Sequence, residues 1–494
     1  MNNTINEFYD FQNLLYRDIY DVHMGLKERS TIADIYSNYS KFVSEDFIQE
    51  LINEESCNKS TGASRLAKRA IIKEYFLFHA QIYKSKIAIQ RAKEIINIDD
   101  KKLTLRKAQL LVLRESDRTL RKKLDAAIEQ KFKNQLNPIY NSMYEKIEEV
   151  SKKLGFKCYN DILYKFNDFD KNQDIEHLEK VLEETKDTYK KIMEEVLCKR
   201  GLEAESLERH DLFNIWNTGE FPFEISIQDL FGKCKYFLNN LGLGDVIDRI
   251  DIMINNNGSH RTFCFPLEVP NRIILFLNLK NRFDDYKMIF HEIGHALHFS
   301  SISEDSEIEY RRWFDPSISE AYAFLFENLM VNSDFIKGLF GDSSKLIDYL
   351  KIAQFNRIFY VRLYVAKSLW EHKYSNNKNL SEESKLKYWG ELFYRATGFY
   401  YSGTSANAER ELFFGALSYL NGWLLEYQLE NYLENKFGNK WYSKKEAGAF
   451  LQKLWKDGRF ENASDLSEAL GYEKPNYKDL INYINRLDVM FDGK

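Results

Sequence analysis

Histidine is scarce in this chain, nine among 494 residues, and two of the nine stand four apart with a glutamate between them: His291-Glu292-Ile-Gly-His295. Residues four apart on an α-helix lie one turn above each other, so two imidazoles at that spacing can grip one metal ion. Glu292, one step round the helix, would lie beside the open coordination position, where a carboxylate can take a proton from water. Met288, Ile289, Ile293, Ala296 and Leu297 supply the apolar face of a buried helix around the motif. The chemistry implied is metal-assisted hydrolysis.

Two imidazoles do not complete a catalytic zinc site, which takes three protein ligands and a water. Ser317 or Ser319 can cap a helix carrying Glu320 in its first turn, 25 residues past His295, and a helix there could pack antiparallel to the motif helix. Spacing alone leaves Glu320 in competition with Glu304, Asp305, Glu307 and Glu309. Glu327 falls seven residues after Glu320, on the same helical face, and could orient a ligand imidazole. His298 reads as a packed histidine, because His291 already occupies the partner position of His295.

These residues need elements to position them. Only six prolines occur, the first at Pro138, and apolar positions recur at three and four through most of the chain. Helical patterns run over 64–96, 103–132, 138–154 and 175–198, and again from 346 onward, so the chain is mainly α. β signals cluster before the motif: Ile250-Asp-Ile-Met-Ile-Asn, Thr262-Phe-Cys-Phe and Arg272-Ile-Ile-Leu-Phe-Leu predict a small antiparallel sheet. An edge strand of it could hydrogen-bond an extended peptide and lay it across a metal. His260 and Arg261 open that strand and are candidates to touch substrate. Turn-rich sequence after Arg200 places a boundary between an N-terminal helical lobe, 1–205, and a catalytic lobe, 206–494. Gly398-Phe-Tyr400-Tyr401-Ser-Gly403 is the conspicuous aromatic-glycine loop, and its tyrosines are further candidates for substrate contact.

Composition narrows the class. The net charge of −5 offers no domain-scale basic excess for nucleic acid or an anionic membrane, and no apolar run has transmembrane length. The polar N-terminus has no signal-peptide core, and the five widely spaced cysteines read as reduced thiols, which together point to a cytoplasmic protein. Oligomeric state is not legible. Cys264 reads as a small buried hydrophobe and Arg410, beside Glu409, as an exposed ion pair.

His-Glu-Ile-Gly-His-Ala-Leu-His, followed by Ser-Glu320-Ala-Tyr-Ala-Phe-Leu-Phe-Glu-Asn, resembles the zinc oligopeptidases of the thimet oligopeptidase and oligopeptidase F family, most closely a shorter microbial branch. Arg261-Thr-Phe-Cys-Phe-Pro, Tyr419-Leu-Asn-Gly-Trp423-Leu-Leu-Glu and Phe437-Gly-Asn-Lys-Trp441 carry the resemblance further. It spans the chain in outline and is dense in motifs from about residue 260. The resemblance implies an almost all-helical, two-lobed clam with a deep central channel, and Zn2+ held by His291, His295 and Glu320. It further implies Glu-assisted attack of zinc-bound water on short unstructured oligopeptides, with Glu292 as the base. Family members stabilise the oxyanion with a tyrosine and a helper histidine on the C-terminal segment. Here Tyr419 matches the tyrosine, with Tyr400 and Tyr401 as competitors. The helper has no counterpart, since no histidine follows His372. Two alternatives stand beside this reading. One is a carboxypeptidase or dipeptidyl carboxypeptidase on a related helical fold, as in angiotensin-converting enzyme. The other is a catalytically silent peptide-binding protein.

Overall fold

The computed structural model describes residues 2–57, 62–167, 170–203, 206–217, 222–223, 225–254, 262–278, 285–376 and 379–492. Helices make up nearly all of its regular structure, and the described residues contain five short strands. Chain contacts group the residues into two units. One comprises Met1–Tyr75, Phe221–Leu346 and Asn421–Asn476; the other comprises Phe76–Glu220, Ile347–Leu420 and Tyr477–Lys494. The units therefore interleave along the chain, whereas sequence texture suggested two consecutive lobes divided at 205/206. A change in composition marks a local stretch of backbone. It carries no information about which distant stretches pack together.

In the first unit, three strands form a sheet: β3 (Asp251–Ile254), β4 (Phe263–Glu268) and β5 (Arg272–Leu277), in the order β3-β5-β4. The central strand β5 is buried from Ile273 to Leu277, which explains its unbroken apolar run. β4 pairs with it antiparallel, Cys264 opposite Leu275, as expected, but β3 runs parallel, Asp251 opposite Ile274. The sheet is thus mixed, and apolar patterning, which is the same in either direction, cannot reveal that. β4 remains an edge strand. Phe265 packs its ring on Tyr20 from the N-terminal helix at 5.5 Å, which anchors the edge to the rest of the unit.

The motif lies on the helix Asp285–Ser301, and Glu320 lies on the helix Pro316–Leu329. Pro316 occupies a first-turn position where its missing amide is harmless, and Asp315 caps the helix by accepting from the Ser317 amide at 2.9 Å. The two helices touch backbone to backbone. A Cβ on Gly294 would stand 2.7 Å from both the Ala323 Cα and the Tyr322 carbonyl. A second close approach comes from the helix Gly415–Phe437, where a Cβ on Gly422 would stand 2.8 Å from the Glu320 Cβ. Trp423, the next residue, stacks on Phe324 at 4.7 Å.

In the second unit, two of the helical patterns break differently from expectation. The hairpin β1 (Ile95–Ile98) and β2 (Lys101–Thr104) interrupts what read as continuous helix and helix start. Its turn places Asp99 at φ 49, a left-handed conformation that aspartate tolerates better than most residues. The 103–132 pattern is two helices, Leu105–Arg114 and Arg118–Lys131, the second capped by Asp117 accepting from Thr119 at 2.8 Å. No helix among the described residues is long and apolar enough to cross a membrane.

The Gly294 crossing yields a direct expectation. Gly294→Ala forces the two helices apart and should destabilise the protein by about 1–3 kcal/mol, read as a lowered thermal midpoint. An unchanged midpoint would show that the crossing can relax.

Candidate metal centre

His291 and His295 occupy successive turns of the motif helix, with ring centroids 4.8 Å apart. Across the Gly294 crossing, Glu320 brings one carboxylate oxygen to 3.5 Å from His291 Nε2 and the other to 3.7 Å from His295 Nε2. One donor atom from each of the three residues lies within 4.8 Å of the others, and the described residues contain no other such group of histidine, cysteine or acid side chains. Glu304, Asp305, Glu307 and Glu309 are not in it.

The inner nitrogens of both rings are engaged. His291 Nδ1 lies 2.9 Å from Glu327 Oε2, and His295 Nδ1 lies 2.7 Å from Ser319 Oγ. A ring that donates through Nδ1 presents Nε2 with its lone pair free, the form a metal requires. Lys287, one turn before His291 and also buried, places its ammonium 3.1 Å from Glu327 Oε1. Glu292 turns the other way, to the sheet, where its Oε2 accepts from the Cys264 backbone amide of β4 at 2.8 Å.

The charges of this cluster explain its proton affinities. Burial disfavours a protonated His291, yet the Glu327 hydrogen bond and the charges of Glu320, Glu327 and Glu292 outweigh it and hold the imidazole up at about 9. Burial likewise opposes ionisation of Glu327, but Lys287 and His291 overcome it and hold the carboxyl down to about 2. His295 is pushed well below the ordinary histidine value by burial and by the neighbouring His291 and His298. Burial raises Glu292, against the pull of His291 and the Cys264 amide. Among the described residues, these three carboxylates face the ammonium of Lys287, an excess of two negative charges when both rings are neutral. A divalent cation balances that surplus, and the mixed nitrogen and oxygen donors suit zinc.

No family model matches the chain, and no curated protein matches it. Solved structures do. PZ peptidase A, in a complex with an inhibitor, superposes with a TM-score of 0.69 at 17% identity, covering 99% of this chain and 88% of that one. A protein provisionally assigned as an oligoendopeptidase F superposes with a TM-score of 0.68 at 14% identity, again over 99% and 88%. The chain has the fold of these helical peptidases. The expectation of a mainly helical chain with a small sheet agrees with it.

The remaining candidates fall in different places. His260 and Arg261 lie outside the described residues. Tyr419 sits half-buried in the Gly415–Phe437 helix with its ring 5.1 Å from Tyr364, and belongs to the second unit. Tyr400 is 51% exposed, stacks on Tyr394 at 4.3 Å, and bridges backbone to Glu208. Tyr401 lies over the Arg209 guanidinium at 4.3 Å, with its hydroxyl on Ser405 and Glu409. His298 is buried against Tyr322 and Phe314, and burial drives its pKa down to about 3. Arg410 is buried over Tyr144 rather than exposed beside Glu409.

Sequence reasoning passed over Lys287, Ser319 and the Cys264 amide. The first had a signal: an ammonium in the first turn of an apolar helix, four residues before His291. The other two follow from the helix crossing and strand pairing, which residue types do not encode.

The proton held on His291 must leave before a metal can take its Nε2. Because that pKa is raised to about 9, protonation competes with metal below about pH 9 and ceases to compete above it. Apparent zinc affinity should therefore rise about tenfold per pH unit between roughly pH 7 and 9, measured by chelator competition. A flat profile over that window would contradict a proton shared by this cluster.

Proposed function

We propose that this protein is a zinc metallopeptidase that hydrolyses short, unstructured oligopeptides in the cytoplasm. The observation that carries the reading is the convergence of His291 Nε2, His295 Nε2 and Glu320 within 4.8 Å. Glu292 stands between that group and an edge strand, on a fold shared with two proteins named as peptidases. Glu292 weighs against a silent binding protein, because holding a metal needs the three ligands but not a base.

A bound zinc ion would supply Lewis acidity and a water of lowered pKa. Glu292 is the proton carrier. Its Oε2 accepts from the Cys264 amide, which draws the carboxylate toward β4 and leaves Oε1 to take a proton from water and return it to the leaving amine. Burial raises its affinity for that proton, which favours a group that must both accept and release. Glu327 and Ser319 hold the two ligand rings in one orientation. Tyr419, by its match to the family pattern, is proposed to donate a hydrogen bond to the developing oxyanion.

β4 is proposed to guide the substrate, although its edge is not a full ladder. Alternation along an antiparallel strand turns Cys264 and Pro266 to the same side, away from β5. Glu292 takes the Cys264 amide, and Pro266 has none. The edge at these positions therefore offers no free amide donor, and the Pro266 carbonyl already accepts from the Arg312 guanidinium.

Three measurements bear on this reading. Glu292→Gln should keep bound zinc while hydrolysis of a mixed peptide pool falls about 10²–10⁴-fold; equal activity in the variant would remove Glu292 from the mechanism. Tyr419→Phe should lower kcat by about 10²-fold or more with little change in KM, and unchanged kcat would remove Tyr419. Peptides with amidated C-termini should be cut as readily as free ones, whereas loss of cleavage on amidation would identify a carboxypeptidase.

A further inference from the structure

We propose that Lys287 is a positioning residue for the metal centre, pinning Glu327 so that Glu327 in turn fixes the ring of His291. The inference rests on the metal reading above and deepens it. Lys287 lies one turn before His291 on the same helix and is only 6% exposed. Its Nζ is 3.1 Å from Glu327 Oε1, while the other oxygen of that carboxylate is 2.9 Å from His291 Nδ1. One carboxylate is thus divided between an ammonium and an imidazole. Contacts on both oxygens fix its rotation about the last side-chain torsion, which a single contact leaves loose.

Burial is what makes the pair consequential. Exposed ion pairs contribute little, because water and salt screen them and both side chains lose freedom in forming them. Removing one partner of a buried pair instead leaves the other charge uncompensated. Glu327 without Lys287 would be held through one oxygen alone, and its carboxylate could turn. That rotation loosens the Nδ1 contact that directs His291 Nε2 to the site.

A competing effect has the opposite sign. The Lys287 ammonium repels a divalent cation, so its loss would by itself tighten binding. The geometry points to positioning as the larger effect, since the Glu327 carboxylate stands between the ammonium and His291 and neutralises most of its field there.

The test is a cycle of zinc dissociation constants, read by chelator competition on the full chain. Its members are the wild type, Lys287→Met, Glu327→Gln and the double variant. Lys287→Met should weaken zinc about tenfold, and the double variant should bind no worse than Glu327→Gln alone, because Lys287 acts through Glu327. Lys287→Arg, which keeps the charge, should recover most of the affinity. The cobalt-substituted protein should show the same altered visible spectrum in Lys287→Met and Glu327→Gln. Wild-type or tighter affinity in Lys287→Met would overturn the proposal, as would an undiminished Lys287 effect in the Glu327→Gln background. If Lys287→Met does not fold by circular dichroism, Lys287→Gln takes its place in the cycle. Failure of the wild type itself to bind zinc would overturn the underlying metal reading, a result distinct from wild-type binding that Lys287 does not influence.

Discussion

The contact between Gly294 and Ala323 sets the position of every donor in this site. Two helices meet there without side chains between them, and only at that separation does a short glutamate side chain reach two imidazoles on the opposite helix. A larger residue at either position would move Glu320 away from the ring nitrogens. Gly422 bears on the Glu320 Cβ in the same manner, so the base of that side chain is confined as well. Small residues at crossings are usually discussed as packing devices. Here they set the geometry of the candidate centre.

Confinement has an electrostatic consequence. Among the described residues, Glu292, Glu320 and Glu327 gather around two imidazoles with one ammonium for compensation. A protein interior tolerates such a surplus only when protons or a cation neutralise it. The raised pKa of His291 is one expression of that pressure, and the proposed affinity for a divalent metal would be the other. The three acids differ in their partners: Glu292 faces the β4 amide, Glu320 the outer ring nitrogens, and Glu327 the inner nitrogen and Lys287. The three roles proposed for one residue type follow from these different surroundings.

Much of this was legible in the residues themselves. His291, Glu292 and His295 were readable because helix periodicity converts a spacing of four into one face, and Glu327 because seven residues bring the face round again. Spacing alone left Glu320 among several acids; the family resemblance singled it out, and the crossing of its helix with the motif helix brings it to both rings. The β4 amide that holds Glu292 was invisible, since backbone groups have no sequence signature. Helical content was plain from periodicity, but the Asp99 turn and the Asp117 cap were absorbed into longer helical patterns because their signals span two or three residues. The parallel pairing of β3 and the interleaving of the two units are properties of chain path, which local patterns do not record.

The account depends most on the identity of the three ligands. A crystal of the zinc-loaded protein, with anomalous scattering recorded on both sides of the zinc edge, tests that claim directly. One strong peak bonded to His291 Nε2, His295 Nε2 and a Glu320 oxygen is the expected result. A peak elsewhere, or a zinc ion that Glu320 does not touch, would contradict it.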